Sequence, residues 1–251
     1  MVKYDIVYLL KNDYDSEELK YSLRSVCKNF PYRKIFFIGG KPEGITPDVY
    51  IEDEQPGRSK WEKSTHSLKL ALESDEITEN FWLFNDDFFV MNKVTKPQNY
   101  FNGSLEKRIA DLRRKNIKGS AYIRELELLK SKLTSLKKDS LSFALHLPML
   151  INKNLALRLF EKFPRCKMFR SFYGNYFEID CAFAKDVKVY DNTSVPNTDF
   201  LSTSDESFKD GTVGEFIRAC FPDPCKYEDI KDEKSSYLPE RYTEDGDEII
   251  S

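Results

Sequence analysis

The chain has little of the chemistry that marks several enzyme classes. Its 251 residues include only two histidines and five cysteines. The odd number of cysteines and the lack of any CxxC pair support neither a zinc site nor a disulfide framework, and they favour reduced thiols in the cytoplasm. No GxGxxG or Walker loop and no GxSxG segment occurs in the sequence. Kinase, P-loop ATPase, dinucleotide oxidoreductase and α/β-hydrolase functions are therefore disfavoured.

Long apolar runs are lacking as well. No stretch approaches the ~20 residues that cross a bilayer, and no charged leader precedes an apolar segment at the start. We therefore expect a cytoplasmic protein with no signal peptide and no transmembrane segment, whose membrane contact, if any, is peripheral. The net charge of −3 and the pI near 5.7 argue against nucleic-acid binding by the chain as a whole. A local basic surface remains compatible with the Lys- and Arg-rich residues 104–138.

Apolar segments alternate with helical patterns over the first ninety residues. Strands are predicted at residues 4–10, 34–38, 49–51 and 81–84. Helices are predicted from the N-cap Ser16 to before Pro31, and at 61–74. This β-α-β-β-α-β order predicts an α/β fold with a mostly parallel sheet flanked by helices. Ligands of such sheets bind beyond the carboxyl ends of the strands, where polar residues lie here. Those residues are Lys11, Asn12, Asp13, Gly39, Gly40, Asn85, Asp86 and Asp87.

The second half reads as an elaboration of this sheet. Residues 104–138 have apolar positions at helical spacing among many basic residues, which predicts an inserted helical hairpin with a break near Gly119. Further helices are predicted near 153–162 and at 213–220, with an aromatic stretch at 169–183 between them. We expect a single catalytic α/β domain over residues 1–222. An acidic, flexible tail is expected over 223–251.

The sharpest local feature is the pair Asp86-Asp87 at the end of an apolar strand. Buried carboxylates are costly unless they are paired or bound to a metal. At a strand end they can hold Mg²⁺ or Mn²⁺, which also takes phosphate oxygens from a substrate. Such an ion would stabilise a departing phosphate. The alternative is an Asn-Asp-Asp turn with both acids in water.

Basic residues and histidines supply a second set of candidates. A helix start with adjacent cations suits phosphate, although a solvated helix face has the same composition. This cluster comprises Arg58, Lys60, Lys63, His66 and Lys69. A further basic set comprises Arg165, Lys167 and Arg170. The two histidines, His66 and His146, are either structural or, beside an acceptor hydroxyl, able to act as a general base.

Several segments resemble the Stealth family of bacterial capsular-polysaccharide phosphotransferases, which are related to the eukaryotic enzyme that adds GlcNAc-1-phosphate to lysosomal glycans. Residues 18–29, 33–38 and 79–89, the last containing Phe84-Asn85-Asp86-Asp87-Phe88, are similar to the central block of the family in order and spacing. Residues 145–148 followed by 169–171 look like its third block. The likeness covers most of residues 1–180.

The resemblance implies a glycosyltransferase-A-like fold, a nucleotide-sugar donor and a divalent metal. It assigns metal binding to Asp86 and Asp87, and catalytic roles to His146, Asp87 and Arg170, with His146 as the base. Arg24 and Arg170 would contact phosphate, with a structural role for Arg24 as the alternative. The candidate donor- and phosphate-binding side chains are Lys11, Asn12, Arg24, Arg58, His66 and Asn85. The chain departs from the family where Leu9-Leu10-Lys11-Asn12-Asp13 replaces a Trp-Val-Asp-Gly-like segment.

These observations lead to three hypotheses. The first is a metal-dependent transferase that moves a sugar, or a sugar phosphate, from a nucleotide sugar to a hydroxyl of a glycan or related polymer. His146, Glu178 or Asp180 would be its base. The second keeps this chemistry and gives residues 104–138 a polyanionic acceptor such as teichoic acid, a phospholipid surface or modified DNA. The third is a non-catalytic carbohydrate- or nucleotide-binding module.

Overall fold

Eight helices and ten strands form the part of the chain that a computed structural model describes, residues 3–12, 17–115, 121–190 and 195–229. The strands are β1 (Asp5–Leu10), β2 (Ile35–Gly39), β3 (Val49–Glu52), β4 (Asn80–Phe84), β5 (Phe88–Val90), β6 (Asn99–Phe101), β7 (Met149–Asn152), β8 (Cys181–Phe183), β9 (Lys188–Val189) and β10 (Phe200–Thr203). The helices are α1 (Glu17–Asn29), α2 (Lys60–Glu73), α3 (Leu105–Arg114), α4 (Ala121–Ser135), α5 (Lys153–Lys162), α6 (Phe169–Tyr176), α7 (Asp205–Lys209) and α8 (Thr212–Cys220). Asp13, Ser16 and Gly119, named in the sequence predictions, lie outside the described residues.

The central sheet has the strand order β3-β2-β1-β4-β7. Four of its strands are those predicted from the sequence, and they pair in parallel. The edge strand β7 runs antiparallel to β4 and was not predicted as a strand. The predicted fold class, an α/β fold with a mostly parallel sheet flanked by helices, is confirmed.

The helices cover both faces of this sheet, which is why its strands are apolar at almost every position. Along β1, Ile6 and Tyr8 pack on the face covered by α1, whereas Val7 packs on the opposite face. That second face carries the buried residues of α2 and α5. The side chains therefore alternate between two cores with the two-residue period of a strand.

The predicted helical insertion is present as α3 and α4. Leu105 and Ile109 of α3, with Leu126 and Leu133 of α4, are buried in the same core as α2 and α5. Ser104 caps α3 by accepting a hydrogen bond from the backbone N of Lys107. The hairpin is thus half-buried, because its apolar side forms part of the main core.

A small sheet of order β5-β10-β9 lies directly after the Asn85-Asp86-Asp87 turn. β10 pairs antiparallel with β5 and parallel with β9. The helices α7 and α8 close this sheet with a third apolar cluster, which includes Phe89 and Leu201. The small sheet therefore brings β9 and β10 back to the end of β4.

The end of the described chain is packed, in contrast to the predicted tail. Tyr227 is buried, and Glu228 forms an isolated bridge with Ile45. Both carboxylate oxygens of Glu228 accept hydrogen bonds from Arg24, at 2.7 Å from Nε and 2.6 Å from Nη2. The folded body therefore reaches at least residue 229, and the predicted boundary at 222 is too early. Residues 230–251 lie outside the described part.

Arg24 has a structural role in this arrangement. Besides the ion pair with Glu228, its Nη1 donates to the carbonyl oxygens of Phe221 and Pro222. Burial alone would raise the pKa of Glu228, but the hydrogen bonds from Arg24 hold it below its ordinary value. Arg24 thus anchors residues 221–228 on α1. This is the structural role that stood as the alternative to the phosphate contact implied by the family resemblance.

The anchoring role of Arg24 makes a stability prediction. Arg24→Ala should lower the free energy of unfolding by about 3–5 kcal/mol, because it leaves the buried Glu228 carboxylate without its partner. Lys20→Ala is the control: its ammonium lies 3.9 Å from the same carboxylate but is exposed, so its loss should cost under ~1 kcal/mol. Urea unfolding measures both. Equal effects would contradict the anchor.

Candidate active site

The candidate site lies where the strand order of the central sheet reverses direction. From β1 the chain proceeds to β2 and β3 on one side, and then to β4 on the other side of β1. The carboxyl ends of β1 and β4 are therefore adjacent, with Tyr8 in register with Phe84. Open α/β sheets bind ligands in the crevice at this reversal. Here Lys11 and Asn12 follow β1, and residues 85–87 follow β4.

Asp87 is the buried member of the carboxylate pair. Its Oδ2 accepts hydrogen bonds from Lys188 Nζ at 2.8 Å and from Ser202 Oγ at 2.9 Å. Burial would lower the pKa of Lys188, but Asp87 outweighs this and raises it above its ordinary value. The contact is therefore an ion pair, and the small sheet supplies both partners. Asn85 and Asp86 are more exposed, with Asp86 half-buried.

One oxygen of Asp87 has no hydrogen-bond partner among the described residues: Oδ1 is buried and unpaired. An orphaned carboxylate oxygen beside a second carboxylate suits a divalent cation that takes its remaining ligands from substrate phosphates and water. The described ranges contain no group of three or more His, Cys, Asp or Glu that could hold a metal ion. Asp86 and Asp87 therefore suit only an ion that takes its other ligands from outside the protein, and they do not form a closed protein site.

A third carboxyl group, Glu18 in the first turn of α1, is buried next to the pair. Its Oε1 accepts a hydrogen bond from Thr203 Oγ1 at 2.5 Å. Burial, together with the charges of Asp87 and Asp86, raises the pKa of Glu18 to about 7. The negative charge at the end of β4 thus makes the ionised form of Glu18 unfavourable.

His146 forms a dyad with Asp186. Its Nδ1 lies 2.9 Å from Asp186 Oδ1, and its backbone N donates to the same oxygen at 3.3 Å. Burial would raise the pKa of Asp186, but His146, and more weakly Arg108 of α3, hold it below its ordinary value. With an ionised carboxylate on Nδ1, that nitrogen carries the proton and Nε2 is left as the basic one. The imidazole is partly exposed and can reach a substrate.

Phe88, the residue after Asp87, brings the dyad next to the carboxylate pair. The rings of Phe88 and His146 are in edge-to-face contact, with centroids 6.4 Å apart. The guanidinium of Arg170 lies over the Phe88 ring at 5.4 Å. The imidazole of the dyad therefore lies next to the residue that follows the candidate metal-binding pair.

Arg170 clamps the two halves of this site together. Its Nη1 donates to the carbonyl oxygens of Leu147 at 2.6 Å and Leu145 at 3.5 Å, the residues on either side of His146. Its Nη2 donates to Leu83 O at 3.4 Å and Asn85 Oδ1 at 3.3 Å. Because these nitrogens are engaged with the protein, the structure makes Arg170 a positioning residue instead of the phosphate contact implied by the resemblance.

A second polar cluster lies at the ends of β1 and β3. Asp53 is buried and accepts hydrogen bonds from Ser67 Oγ at 2.6 Å and, through Oδ1, from His66 Nδ1 at 2.8 Å. Asn12 Nδ2 donates to the carbonyl oxygen of Asp53 at 2.9 Å. Residue 39, at the end of β2, must be glycine, because a Cβ there would lie 2.1 Å from the carbonyl oxygen of Leu10. His66 and Asn12 thus form a neighbouring cluster of their own.

The remaining predicted residues lie apart from the Asp86–Asp87 pair or on the surface. Arg58 is exposed before α2, where its backbone N donates to Glu62 of a capping box. Lys11 is exposed at the end of β1. Glu178 and Asp180 are exposed, and Glu178 pairs with Lys138 of the hairpin segment at 3.0 Å. His146 is therefore the one of the three proposed bases that has a carboxylate partner in the described site.

Four residues of the site were missed by the sequence analysis: Glu18, Asp186, Lys188 and Ser202. The segment Asp186-Val187-Lys188-Val189 alternates charged and apolar residues, which is a strand signal that places Asp186 and Lys188 on one face. Asp53 lies two residues after the strand predicted at 49–51, so the strand-end argument applied to residues 85–87 covers it as well. No local pattern singles out Glu18 or Ser202.

Comparisons with known proteins find only a partial structural similarity. No protein-family model and no curated protein matches the chain, so the resemblance to the Stealth family rests on the quoted segments alone. Two crystal structures of the glycosyltransferase GlyE from Streptococcus pneumoniae TIGR4 are similar in part. The apo form matches at 12% identity and a TM-score of 0.34, over 72% of this chain and 45% of GlyE. The other matches at 10% identity and a TM-score of 0.32, over 88% and 50%. This chain thus spans about half the length of GlyE.

The buried position of Glu18 makes a pH-dependent prediction. Between its unfolded pKa of 4.5 and its folded pKa of about 7, the folded protein holds a proton that the unfolded chain has released. Stability should therefore fall as pH rises through this window, and the loss is complete above pH 7. Glu18→Gln removes the penalty and should raise the free energy of unfolding at pH 8 by roughly 3 kcal/mol, with little effect at pH 4.5.

Urea unfolding at the two pH values tests this prediction. Glu17→Gln is the matched control, because Glu17 is the preceding residue of the same helix and is exposed. An equal gain for both variants, or a gain for Glu18→Gln that is the same at pH 4.5 and pH 8, would contradict the buried-carboxyl explanation.

Proposed function

We propose that this protein is a transferase that uses a nucleotide sugar as donor and a hydroxyl of a glycan or related polymer as acceptor. The observation that carries the proposal is the meeting of the Asp86–Asp87 pair with the His146–Asp186 dyad at the strand-order reversal of a mostly parallel sheet. Carboxylates at that position suit a donor diphosphate through a cation, and an oriented imidazole suits an acceptor hydroxyl. The segments that resemble the Stealth family point to the same chemistry.

The acceptor side of the proposal depends on the dyad. The Nε2 of His146 would take the proton of the acceptor hydroxyl, and the Asp186 carboxylate on Nδ1 would stabilise the resulting imidazolium. Arg170 fixes the backbone on both sides of His146 and so sets the position of the imidazole relative to residues 83–85. The dyad would act on a hydroxyl that lies between His146 and the donor.

The donor part of the proposal depends on the charged side chains at the end of β4. Asp86 and the unpaired Oδ1 of Asp87 would hold a Mg²⁺ or Mn²⁺ ion, which supplies charge stabilisation to the leaving phosphate when bound. Lys188 is fixed on Asp87 and adds a positive charge to the same crevice. Asn12 follows β1, and His66 of α2 contacts Asp53 at the end of β3. We infer that these two side chains face the nucleoside half of the donor.

The product identifies which group is transferred. Attack on the anomeric carbon releases a nucleoside diphosphate from a diphosphate sugar, whereas attack on the β-phosphorus releases a nucleoside monophosphate. Incubation with UDP-, GDP- and dTDP-sugars and either ion, followed by identification of the released nucleotide, distinguishes glycosyl from sugar-phosphate transfer. Absence of release from every donor, with candidate acceptors present, would favour a non-catalytic binding module.

Substitution of the buried carboxylate tests the donor site. Asp87→Asn should abolish metal-dependent nucleotide release, because the amide cannot supply the anionic ligand. The expected loss is at least ~10²-fold in kcat/KM, in line with losing a main electrostatic contribution to the transition state. Asp75→Asn is the control, a change of the same chemistry at a turn after α2. Full activity of Asp87→Asn, or metal-independent release, would contradict the metal site.

Comparison of the two histidines tests the acceptor site. His146→Gln should lower kcat by about 10²–10⁴-fold, and Asp186→Asn should lower kcat in the same direction, because the amide no longer fixes the tautomer. His66→Gln is the matched comparison, since His66 also pairs with an aspartate; its effect should fall on the donor KM. A kcat loss for His66→Gln and none for His146→Gln would reverse the assignment.

A further inference from the structure

A concave groove lies on the far side of the helical hairpin, outside the candidate active site. It has a volume of about 410 Å³ and runs between α4 and the loop that joins α5 to α6. Its floor is apolar and includes Leu129, Phe163 and Phe172. Leu128 at its edge has 54% of its surface exposed, although it is a large aliphatic residue. The groove thus presents apolar surface to solvent.

The rim of this groove is positively charged. Lys132, Lys162, Arg165 and Lys167 line it, against the single acid Glu125. Glu125 forms a salt bridge with Lys167, whose Nζ lies 2.7 Å from the Glu125 carboxylate. Within the described ranges, no salt bridge joins Lys132, Lys162 or Arg165 to a carboxylate. Three positive charges around an apolar floor are therefore uncompensated by protein.

Two of these cations are held beside the floor. Lys132 Nζ lies over the Phe163 ring at 5.1 Å, and Lys162 Nζ lies over the same ring at 5.8 Å. Lys162 also donates to Tyr176 Oη at 2.8 Å. Both ammonium groups thus lie beside one apolar ring, which favours a ligand with an anionic head and an apolar body.

We propose that this groove docks the protein on a membrane that contains anionic phospholipid. The phosphate head group lies among Lys132, Lys162 and Arg165, and Leu128 enters the acyl boundary. A soluble polyanion would match the charges and leave Leu128 and the Phe163 floor in water, so the lipid fits the groove better. The described part of the chain has no helix long and apolar enough to cross a membrane, and the groove supplies a peripheral contact. This inference does not depend on the proposed transferase activity.

Sedimentation with sucrose-loaded vesicles tests the proposal on the full chain. Binding is expected to vesicles of phosphatidylglycerol and phosphatidylcholine, to weaken with salt, and to be far weaker with pure phosphatidylcholine. Each basic side chain near an anionic surface contributes roughly a fivefold change in partitioning. The triple variant Lys132→Gln, Lys162→Gln and Arg165→Gln should therefore bind roughly 100-fold more weakly.

The matched control removes the same charge elsewhere. The variant Lys93→Gln, Lys96→Gln and Lys209→Gln alters three exposed lysines outside the groove and should bind nearly as well as the unaltered protein. An equal loss in both triple variants would overturn the proposal, because it would show a response to net charge alone. Equal binding to neutral vesicles, or no binding to anionic ones, would also overturn it.

Leu128→Ser separates lipid insertion from plain attraction between charges. It should weaken vesicle binding roughly fivefold to tenfold, most clearly at high salt, because an apolar side chain leaves the acyl boundary. Phe216→Ser on α8 is the control at another exposed apolar residue. If Leu128→Ser binds as tightly as the unaltered protein, the groove is a polyanion site and the lipid proposal is overturned. Unfolding curves check that each variant is folded.

Discussion

The geometry of the candidate site depends on the guanidinium of Arg170. One side chain joins the end of β4 to the segment around His146, through four acceptors and the face of Phe88. Burial lowers the pKa of Arg170 to about 10, and the nearby Asp87 carboxylate opposes that shift. The group remains charged at neutral pH, and its hydrogen bonds offset the cost of removing a charge from water. A second link runs through Lys188, which follows Asp186 by two residues and donates to Asp87.

Part of this arrangement could be predicted from the sequence and part could not. The alternation of apolar strands and helices fixes the parallel sheet, and the same rule places Asp86 and Asp87 at its carboxyl edge. The partners of Asp87 lie about a hundred residues later, on strands of two to four residues, and such short strands leave weak periodic signals. The ion pair between Arg24 and Glu228 could not be predicted either, because Glu228 lies in an acidic segment whose composition is typical of a tail.

The helical hairpin connects the two surfaces to which we assign ligands. Its α3 carries Arg108, whose charge helps to hold the pKa of Asp186 below its ordinary value in the active-site dyad. Its α4 carries Leu128 and Lys132, which line the proposed membrane groove. Because Ile109 and Leu126 bury the hairpin in the main core, the two surfaces have a fixed relation. A transferase whose polymer acceptor is attached to a membrane would use both at once.

Anomalous scattering from crystals grown with Mn²⁺ and a nucleoside diphosphate would locate a bound metal directly. We expect a manganese peak between the side chains of Asp86 and Asp87, with diphosphate oxygens on the same ion and His146 Nε2 facing it. A nucleotide bound without metal at this strand end, or a manganese ion bound elsewhere on the molecule, would contradict it.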